Sequence, residues 1–472
     1  MTDILKEFKP VFSPKSVAII GASRNPSKLG YQSLKALLEA GYQGKIYPIN
    51  PKAETVGEYK SYPSILEVPD QIDLAVISLP PLGVLDAVKE CVKKRVKGIV
   101  IFASGFKELD EQGAQTEREM AKICSEAGIK IIGPNTIGMM NAYSNLNASF
   151  APIGELPRGN ISIVSQSGGM GTTLLTYVLE ADLGFSKYVG VGNRANVEIA
   201  DLLIYLKEDP TTSVICVFVE GLDNAREFMQ ASKEVAREKA VLVYKVGKTD
   251  VSNRAAFSHT GSLAGAYHLY KAAFAQAGIL EVIEPSELVD AAKAISILPS
   301  AKGEKVALLT HTAGPGLVIT EILERYGIEM SVLSEETKKQ ILDAIPITVT
   351  IQNPVDLTGV AYVFSELYGV VGKIILEDEN VDALIAVYTP SFQPEIPLPV
   401  KELIEITKAT NKPVIAALIS PSDQPIEEKA ELEKNGVAVY RNPERVAKAV
   451  ANYIKYWKLK RGRQKNRIIL NK

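Results

Sequence analysis

The feature that most limits what this chain can fold into is an alternation that persists from end to end. Short β-branched runs of strand length are each followed by a longer stretch with helical spacing. Strands joined through helices lie parallel and are buried on both faces, so the pattern asks for open parallel sheets with covering helices. Strand-like runs fall at 16–23, 45–50, 73–80, 98–105 and 129–135, and a connection bearing Pro and Gly follows at 151–159. A second set lies at 161–165, 186–192, 214–220 and 240–247, with an edge strand at 280–283. After Leu298-Pro299-Ser300 a third set follows at 305–311, 328–333, 383–390, 413–420 and 438–442. A chain of 472 residues has room for three domains of about 150 residues. The expectation is an α/β protein of three doubly wound domains over 1–150, 151–298 and 299–472.

Charge is nearly balanced, 53 Lys and Arg against 55 Asp and Glu, so no basic excess points to a nucleic-acid partner. Cys91, Cys124 and Cys216 are too scattered for a disulfide framework or a familiar metal-ligand spacing, which suits a reducing compartment. Residues 1–10 are charged and lack the apolar centre of a signal peptide, and no apolar run reaches membrane-spanning length. A soluble, cytoplasmic chain with no membrane partner is expected. Abundant Lys and Glu with few Cys, Met and Trp agree with a thermophilic source.

In open α/β sheets ligands sit beyond the carboxyl ends of the strands, so the strand-to-helix turns carry the chemistry. The first turn holds Gly21, Ala22, Ser23, Pro26 and Lys28, a Gly-rich anion cradle that lacks the Gly-x-Gly-x-x-Gly spacing. The second strand ends in Asn50-Pro51-Lys52, where an NAD site would need an acid for the ribose hydroxyls. A lysine there suits a ribose 3′-phosphate, as in coenzyme A, although a surface lysine on a structural turn reads the same way. The next turns, Ser78-Leu79-Pro80 and Ala103-Ser104-Gly105, are small and shaped by Gly and Pro, so an extended pantetheine arm could lie along them.

The second domain opens with Ser165-Gln166-Ser167-Gly168-Gly169 at a strand end before a helix, a group of small residues with N–H donors suited to phosphate. No Gly-Lys-Ser/Thr follows, so this is not a Walker loop. Gly192 and Asn193 stand in a further turn of the same layer. His259, one of three histidines, sits in Ser258-His259-Thr260-Gly261-Ser262-Leu263-Ala264-Gly265, where a reachable imidazole can act as a nucleophile. A loop histidine bonded to its own backbone is the plainer alternative. Glu220, at the end of the strand 214–220, can orient that imidazole or simply cap a helix.

The sequences Ser258-His259-Thr260-Gly261-Ser262-Leu263-Ala264-Gly265 and Ser165-Gln166-Ser167-Gly168, with Val191-Gly192-Asn193 and the opening Pro14-Lys15-Ser16-Val17-Ala18-Ile19-Ile20-Gly21-Ala22-Ser23, resemble the alpha subunits of ADP-forming acetyl-CoA synthetases in the succinyl-CoA synthetase superfamily. The resemblance runs over nearly the whole chain. It implies a Rossmann-like CoA-binding domain followed by two flavodoxin-like ligase domains. It also implies an acid–thiol ligase using CoA or acyl-CoA, phosphate and ADP/ATP, with phospho-His259 as carrier and Glu220 as its partner. No ATP-grasp segment or P-loop is visible, so the resemblance places the nucleotide and Mg²⁺ mainly on an ATP-grasp beta subunit, in an α2β2 heterotetramer; no metal site is expected on this chain. A succinate-type ligase subunit and a non-catalytic CoA sensor or scaffold are the alternatives. No Arg cluster lies near the turns beyond Arg194 and Arg254, which favours a monocarboxylate.

Two further histidines and one Pro-bearing segment remain, His311, His268 and the segment from Asn353 to Gly359. Where the resembling family has an Asn-Gly-Gly-Gly-type turn, this chain has Thr310-His311-Thr312-Ala313-Gly314-Pro315-Gly316. With no carboxylate evident near it in sequence, His311 is expected to be structural. His268, in a helical pattern, is expected to pack, and the segment from Asn353 to Gly359 to shape a turn or an interface.

Overall fold

Burial on both faces turns the apolar runs into strands: β1 (Ser16–Ile20) is buried at all five positions. The computed structural model describes residues 3–252, 267–345, 351–389, 398–419 and 427–470, and divides into two compact units, Met1–Glu281 and Val282–Lys472. In the first unit, β1 pairs in parallel with β2 (Lys45–Ile49) and β5 (Leu74–Ile77), and β6 (Gly98–Ile101) and β7 (Lys130–Ile132) complete the order β2-β1-β5-β6-β7. A small antiparallel ribbon, β3 (Thr55–Val56) and β4 (Tyr59–Lys60), follows β2. The second sheet takes β8 (Gly138–Asn141), β9 (Leu146–Ser149), β10 (Arg158–Ser165), β11 (Phe185–Gly190), β12 (Val214–Val219), β13 (Ala240–Lys245) and β14 (Leu280–Glu281). Its order is β14-β13-β12-β10-β11-β8-β9, with β8 antiparallel to both neighbours. In the second unit β15 (Val306–Thr310), β16 (Val355–Asp356), β17 (Ala383–Tyr388), β18 (Val414–Leu418) and β19 (Ala438–Tyr440) form β16-β15-β17-β18-β19, all parallel.

Ignoring the hairpin β8–β9, each sheet has the order 2-1-3-4-5, the flavodoxin-like form of doubly winding. The order reverses between β1 and β5, between β10 and β12, and between β15 and β17. Crevices of this kind are where open α/β sheets take their ligands.

Two strand expectations change. The hairpin β8–β9 lies within the range 1–150 but pairs with the second sheet; its Met-Met-Asn and Leu-Asn-Ala-Ser runs carry no β-branched signal. A Cβ at Gly138 would come within 2.2 Å of the Ala148 carbonyl oxygen, so glycine is what lets the two strands close up. The run 328–333 makes only one bridge, Val306 with Met330. Asn353 stands in for the ladder: its Nδ2 donates to the carbonyls of Val306 and Ser331, both at 2.9 Å, and its Oδ1 accepts from the Leu308 N–H at 2.9 Å. The side chain occupies the edge that a strand would have paired with, and β16 takes the place beside β15 immediately afterwards.

The core of the first unit is continuous across its two sheets, running from Phe8 and Phe12 through Val17 and Val164 to Val243. The helix Asp3–Phe12 helps to seal it, with Phe12 stacked on Tyr205 at 4.6 Å between ring centroids. Turns of the first sheet and turns of the second are therefore held in one body.

Candidate functional site

The turn after β1 is fixed by contacts that leave no room for side chains. Gly21 has φ +87°, and a Cβ there would lie 2.4 Å from the Ser78 carbonyl oxygen; one at Gly30 would lie 2.1 Å from that of Gly21. Asn50 ties the first two turns together, its Nδ2 donating to the Ala22 carbonyl at 2.8 Å while its Oδ1 accepts from the Lys52 N–H at 2.8 Å. Around them opens a cavity of about 720 Å³ at the β1/β5 crevice. Gly21, Ala22, Ser23, Lys28, Asn50, Lys52, Ser78, Leu79, Pro80 and Ala103 line it. Pro26, Ser104 and Gly105 are not among its lining residues: the Pro26 carbonyl accepts from Gln32 Nε2 at 2.6 Å, and the Gly105 N–H is given to Glu108. Sequence reading missed Asp86 and Glu90 on the helix Pro81–Lys94, which give the cavity acceptors as well as cations.

A second cavity, about 450 Å³, opens at the β10/β12 crevice. It brings together Gln166, Ser167, Gly168, Gly169, Gly192, Asn193 and Glu220. Ser165 lies behind them, fully buried, its hydroxyl donating to the Ser167 carbonyl at 2.7 Å. Ser167 caps the helix Gly168–Glu180 by accepting from the Met170 N–H at 3.3 Å. The N–H groups of Gly168 and Gly169 have no acceptor within the helix, as first-turn donors never do, and a Cβ at Gly169 would meet nothing within 4 Å. This helix start is open to an anion. Gln166 Oε1 accepts from the N–H groups of Glu220 and Gly221 at 2.9 and 3.1 Å, so it shapes the loop that carries Glu220.

Asn193 sits where the sequence reading put it, but its donors are engaged: the backbone N–H on the Pro134 carbonyl at 2.9 Å, and Nδ2 on Glu108 and Glu117 at 2.5 and 2.9 Å. Arg194, buried in the same turn, pairs with Glu198 at 3.1 Å and Asp223 at 2.8 Å. Lys107 reaches the cavity from the first sheet and pairs with Glu117 at 3.7 Å and Asp223 at 3.5 Å. Lys245, at the end of β13, is 1% exposed and donates to the Glu220 carbonyl at 2.8 Å. Burial pushes its ammonium down to about 8, against the opposing pull of Glu220 and Glu281. No sequence signal marked Lys245, because an isolated lysine at a strand end reads as surface.

Leu29 and Phe102 line both cavities, so the two crevices meet. Phe102 packs edge-to-face on Phe150, 5.0 Å between centroids, and Ile137 adds a further apolar wall. His259 and Arg254 lie outside the described residues. Among the described residues, no group of three or more His, Cys, Asp or Glu is placed to hold a metal, and no helix is long and apolar enough to cross a membrane.

His268 is exposed on the helix Tyr267–Ala277 instead of packed. His311 is 4% exposed, its Nδ1 2.8 Å from the Tyr368 hydroxyl and its ring 4.7 Å from that of Tyr388. A carboxylate does stand near it: Asp356 on the adjacent strand β16 pulls its pKa upward, but burial dominates and lowers it.

Residues 15–142 match a family model described as a CoA binding domain, and residues 158–295 match one described as a succinyl-CoA ligase like flavodoxin domain. The chain is 39% identical over 445 residues to the acetate–CoA ligase [ADP-forming] II subunit alpha of Pyrococcus furiosus, covering 93% of this chain and 95% of the relative. It is 37% identical to the I subunit alpha of that organism, over 95% and 98% of the two chains. A solved structure of dinucleotide forming acetyl-coenzyme A synthetase 1 from Ca. Korarchaeum cryptofilum, in complex with phosphate and ADP, superposes with a TM-score of 0.87 at 35% identity, covering 97% of this chain and 98% of that one. With strand order, paired cavities and full-length likeness in agreement, the chain belongs to the family of ADP-forming acetate–CoA ligase alpha subunits, which are acid–thiol ligases.

Proposed function

We propose that the larger cavity binds the CoA moiety of an acyl-CoA, that the smaller one binds phosphate, and that acyl transfer takes place where they meet. The observation that carries this reading is the wall formed by Leu29 and Phe102, which belongs to both cavities. The N–H groups of Gly168 and Gly169 hold phosphate and direct one oxygen at the thioester carbon. The new C–O bond forms as C–S breaks, giving an acyl phosphate and CoA thiolate, which takes up a proton. His259 then attacks phosphorus, the P–O bond to the acyl group breaks, and the carboxylate leaves. Glu220 orients the imidazole and balances the cation produced. Fixed N–H donors and positioning supply most of the catalysis, as is general for phosphoryl transfer.

Phospho-His259 delivers its group to ADP, with Mg²⁺, on an ATP-grasp beta subunit in an α2β2 assembly working in the cytoplasm. The two relatives named as alpha subunits, matched over 95% and 98% of their lengths, support a partner subunit. Both described cations of the phosphate cavity are paired with carboxylates, which favours an acyl group without a second negative charge.

The test is to incubate the assembled enzyme with acetyl-CoA and labelled phosphate without ADP. An acid-labile, base-stable label on His259 is expected. Label absent from His259 while CoA is still released overturns the relay, and CoA binding with neither release nor label makes the chain a sensor.

A further inference from the structure

Two cavities that share a wall need their register fixed, because a phosphate oxygen must come within about 3–3.5 Å of the thioester carbon to attack it. Two loops set that register. Residues 103–110 follow β6, with Ala103 on the larger cavity and Lys107 on the smaller, and residues 192–194 follow β11 beside the smaller. Glu108, on the first loop, is not among the residues lining either cavity. Its Oε1 accepts from the Gly105 N–H at 2.5 Å, and its Oε2 accepts from the Phe106 N–H at 3.3 Å and from Asn193 Nδ2 at 2.5 Å. One carboxylate thus shapes the loop that runs from Ala103 on the larger cavity to Lys107 on the smaller, and grips the loop that carries Asn193. Glu117, 4% exposed, accepts from Asn193 Nδ2 at 2.9 Å and from the Lys107 N–H at 3.3 Å. Asn135 Nδ2 donates to Asn193 Oδ1 at 3.3 Å. Asn193 is clamped on every side. Burial would raise the Glu108 pKa, yet the bonds from Asn193, Gly105 and Phe106 outweigh it and hold the carboxyl below its ordinary range. Glu117 lacks enough such support, and burial raises it.

We propose that Glu108 is a positioning residue, which through Asn193 registers the thioester end of the CoA cleft against the phosphate cradle. The proposal rests on the assignment of the two cavities given above. All three partners of Glu108 are donors, so an amide in its place turns an N–H₂ towards at least one of them and breaks the bridge with little change of shape.

The experiment uses the full chain with its partner subunit and the variants Glu108→Gln, Asn193→Ala and the two combined. It reads kcat and KM for acetyl-CoA and phosphate, CoA affinity by calorimetry, and the thermal midpoint. Each single variant is expected to lower kcat by about ten- to a hundredfold, the cost of misplacing reactants by an ångström or less, with each KM and the CoA affinity within about threefold of the unaltered enzyme. The double variant is expected to be no slower than the slower single one, because both remove the same bridge. A Glu108→Gln enzyme with unchanged kcat, a loss confined to KM, or losses that multiply in the double variant would each overturn the proposal. An unaltered enzyme that binds no CoA would instead overturn the cavity assignment beneath it.

Discussion

The first turn of the second sheet and the first turn of the third are built on one plan. In both, a hydroxyl at the last strand position donates to the carbonyl two residues on: Ser165 to Ser167 at 2.7 Å, Thr310 to Thr312 at 2.8 Å. In both, the next side chain stitches itself to the end of the neighbouring strand across the crevice. Gln166 accepts from the N–H groups of Glu220 and Gly221 just past β12. The His311 ring has a hydrogen bond with the Thr389 backbone just past β17, and meets Tyr368, whose hydroxyl donates to the Val387 carbonyl at 2.5 Å. What differs is the filling. The first crevice is left to glycines and opens into a cavity, whereas Tyr368 and Tyr388, both about fully buried, pack around His311 in the other. The same fold yields a site or a plug according to the size of the residues at its switch point.

The widest way to probe that contrast is to remove each of the two histidines in turn. His259→Ala is expected to cut ATP formation from acetyl-CoA, phosphate and ADP by more than about a thousandfold, the scale seen when a covalent nucleophile is removed. CoA binding should survive. His311→Gln, which gives the second turn the side chain of the first, should leave turnover close to that of the unaltered enzyme and cost only stability, about 1–3 kcal/mol if a buried partner goes unmatched. Comparable losses of turnover from both would erase the distinction between site and plug. Next comes Gln166→Ala, which takes the acceptor from the Glu220 and Gly221 N–H groups. A fall in kcat of about ten- to a hundredfold is expected as the Glu220 loop loses its fixed position. Unchanged kcat would mean that Glu220 needs no such support.

Sequence alone reached the layered fold and most of the strand-end turns that border the two cavities, because a buried parallel strand writes itself as a β-branched run and its carboxyl end as small residues. It placed Gly168, Gly169 and Glu220 where the smaller cavity opens. It missed what depends on contacts across the chain. Glu108 reads as one acid in a charged loop, and only the fold sets it against Asn193, 85 residues on. Lys245 reads as a strand-end surface residue, although β13 lies inside the sheet and buries it. The run 328–333 has a strand's composition and loses its partner to one asparagine side chain.

Lys245 sharpens the comparison further, since the matching strand of the second unit, β18, ends in the apolar Leu418. The Lys245 ammonium holds the Glu220 and Val246 carbonyls and lies 4.7 Å from the Tyr270 ring centroid. Glu220, Glu281 and Lys248 are the charges that act on it. With its pKa pushed down to about 8, it should lose its proton as the medium turns alkaline, and kcat should fall by up to about tenfold per pH unit above that point. Unfolding would not account for such a loss. A lysine whose folded pKa lies below its unfolded value binds its proton more weakly in the fold, so its contribution to stability rises between about 8 and 10.5. Lys245→Arg should remove the alkaline limb, and a kcat that is flat from neutral pH upward in the unaltered enzyme would sink the assignment.

The smallest effect separates the two turns by a single methyl group. Gly171 and Gly316 hold the same place, each six residues after the strand-end hydroxyl of Ser165 or Thr310, in the first turn of the following helix. A Cβ at 171 would stand 2.3 Å from the hydroxyl of fully buried Tyr188 and 3.0 Å from the Ser165 Cβ. At 316 the nearest atoms are side-chain methyls of Leu308 and Thr310 at 3.3 and 3.4 Å. Alanine gains roughly 1 kcal/mol over glycine within a helix, while overpacking a filled core costs about 1–3 kcal/mol. The clash should win at Gly171→Ala and lower the denaturation midpoint, whereas Gly316→Ala should leave it level or slightly raised. Because Tyr188 backs the helix whose first N–H groups face the smaller cavity, Gly171→Ala should also raise the KM for phosphate, and Gly316→Ala should not. Equal midpoints and equal KM values for the two variants would show that the helix can shift freely, and would remove the close approach at Gly171 as the reason the cradle keeps its shape.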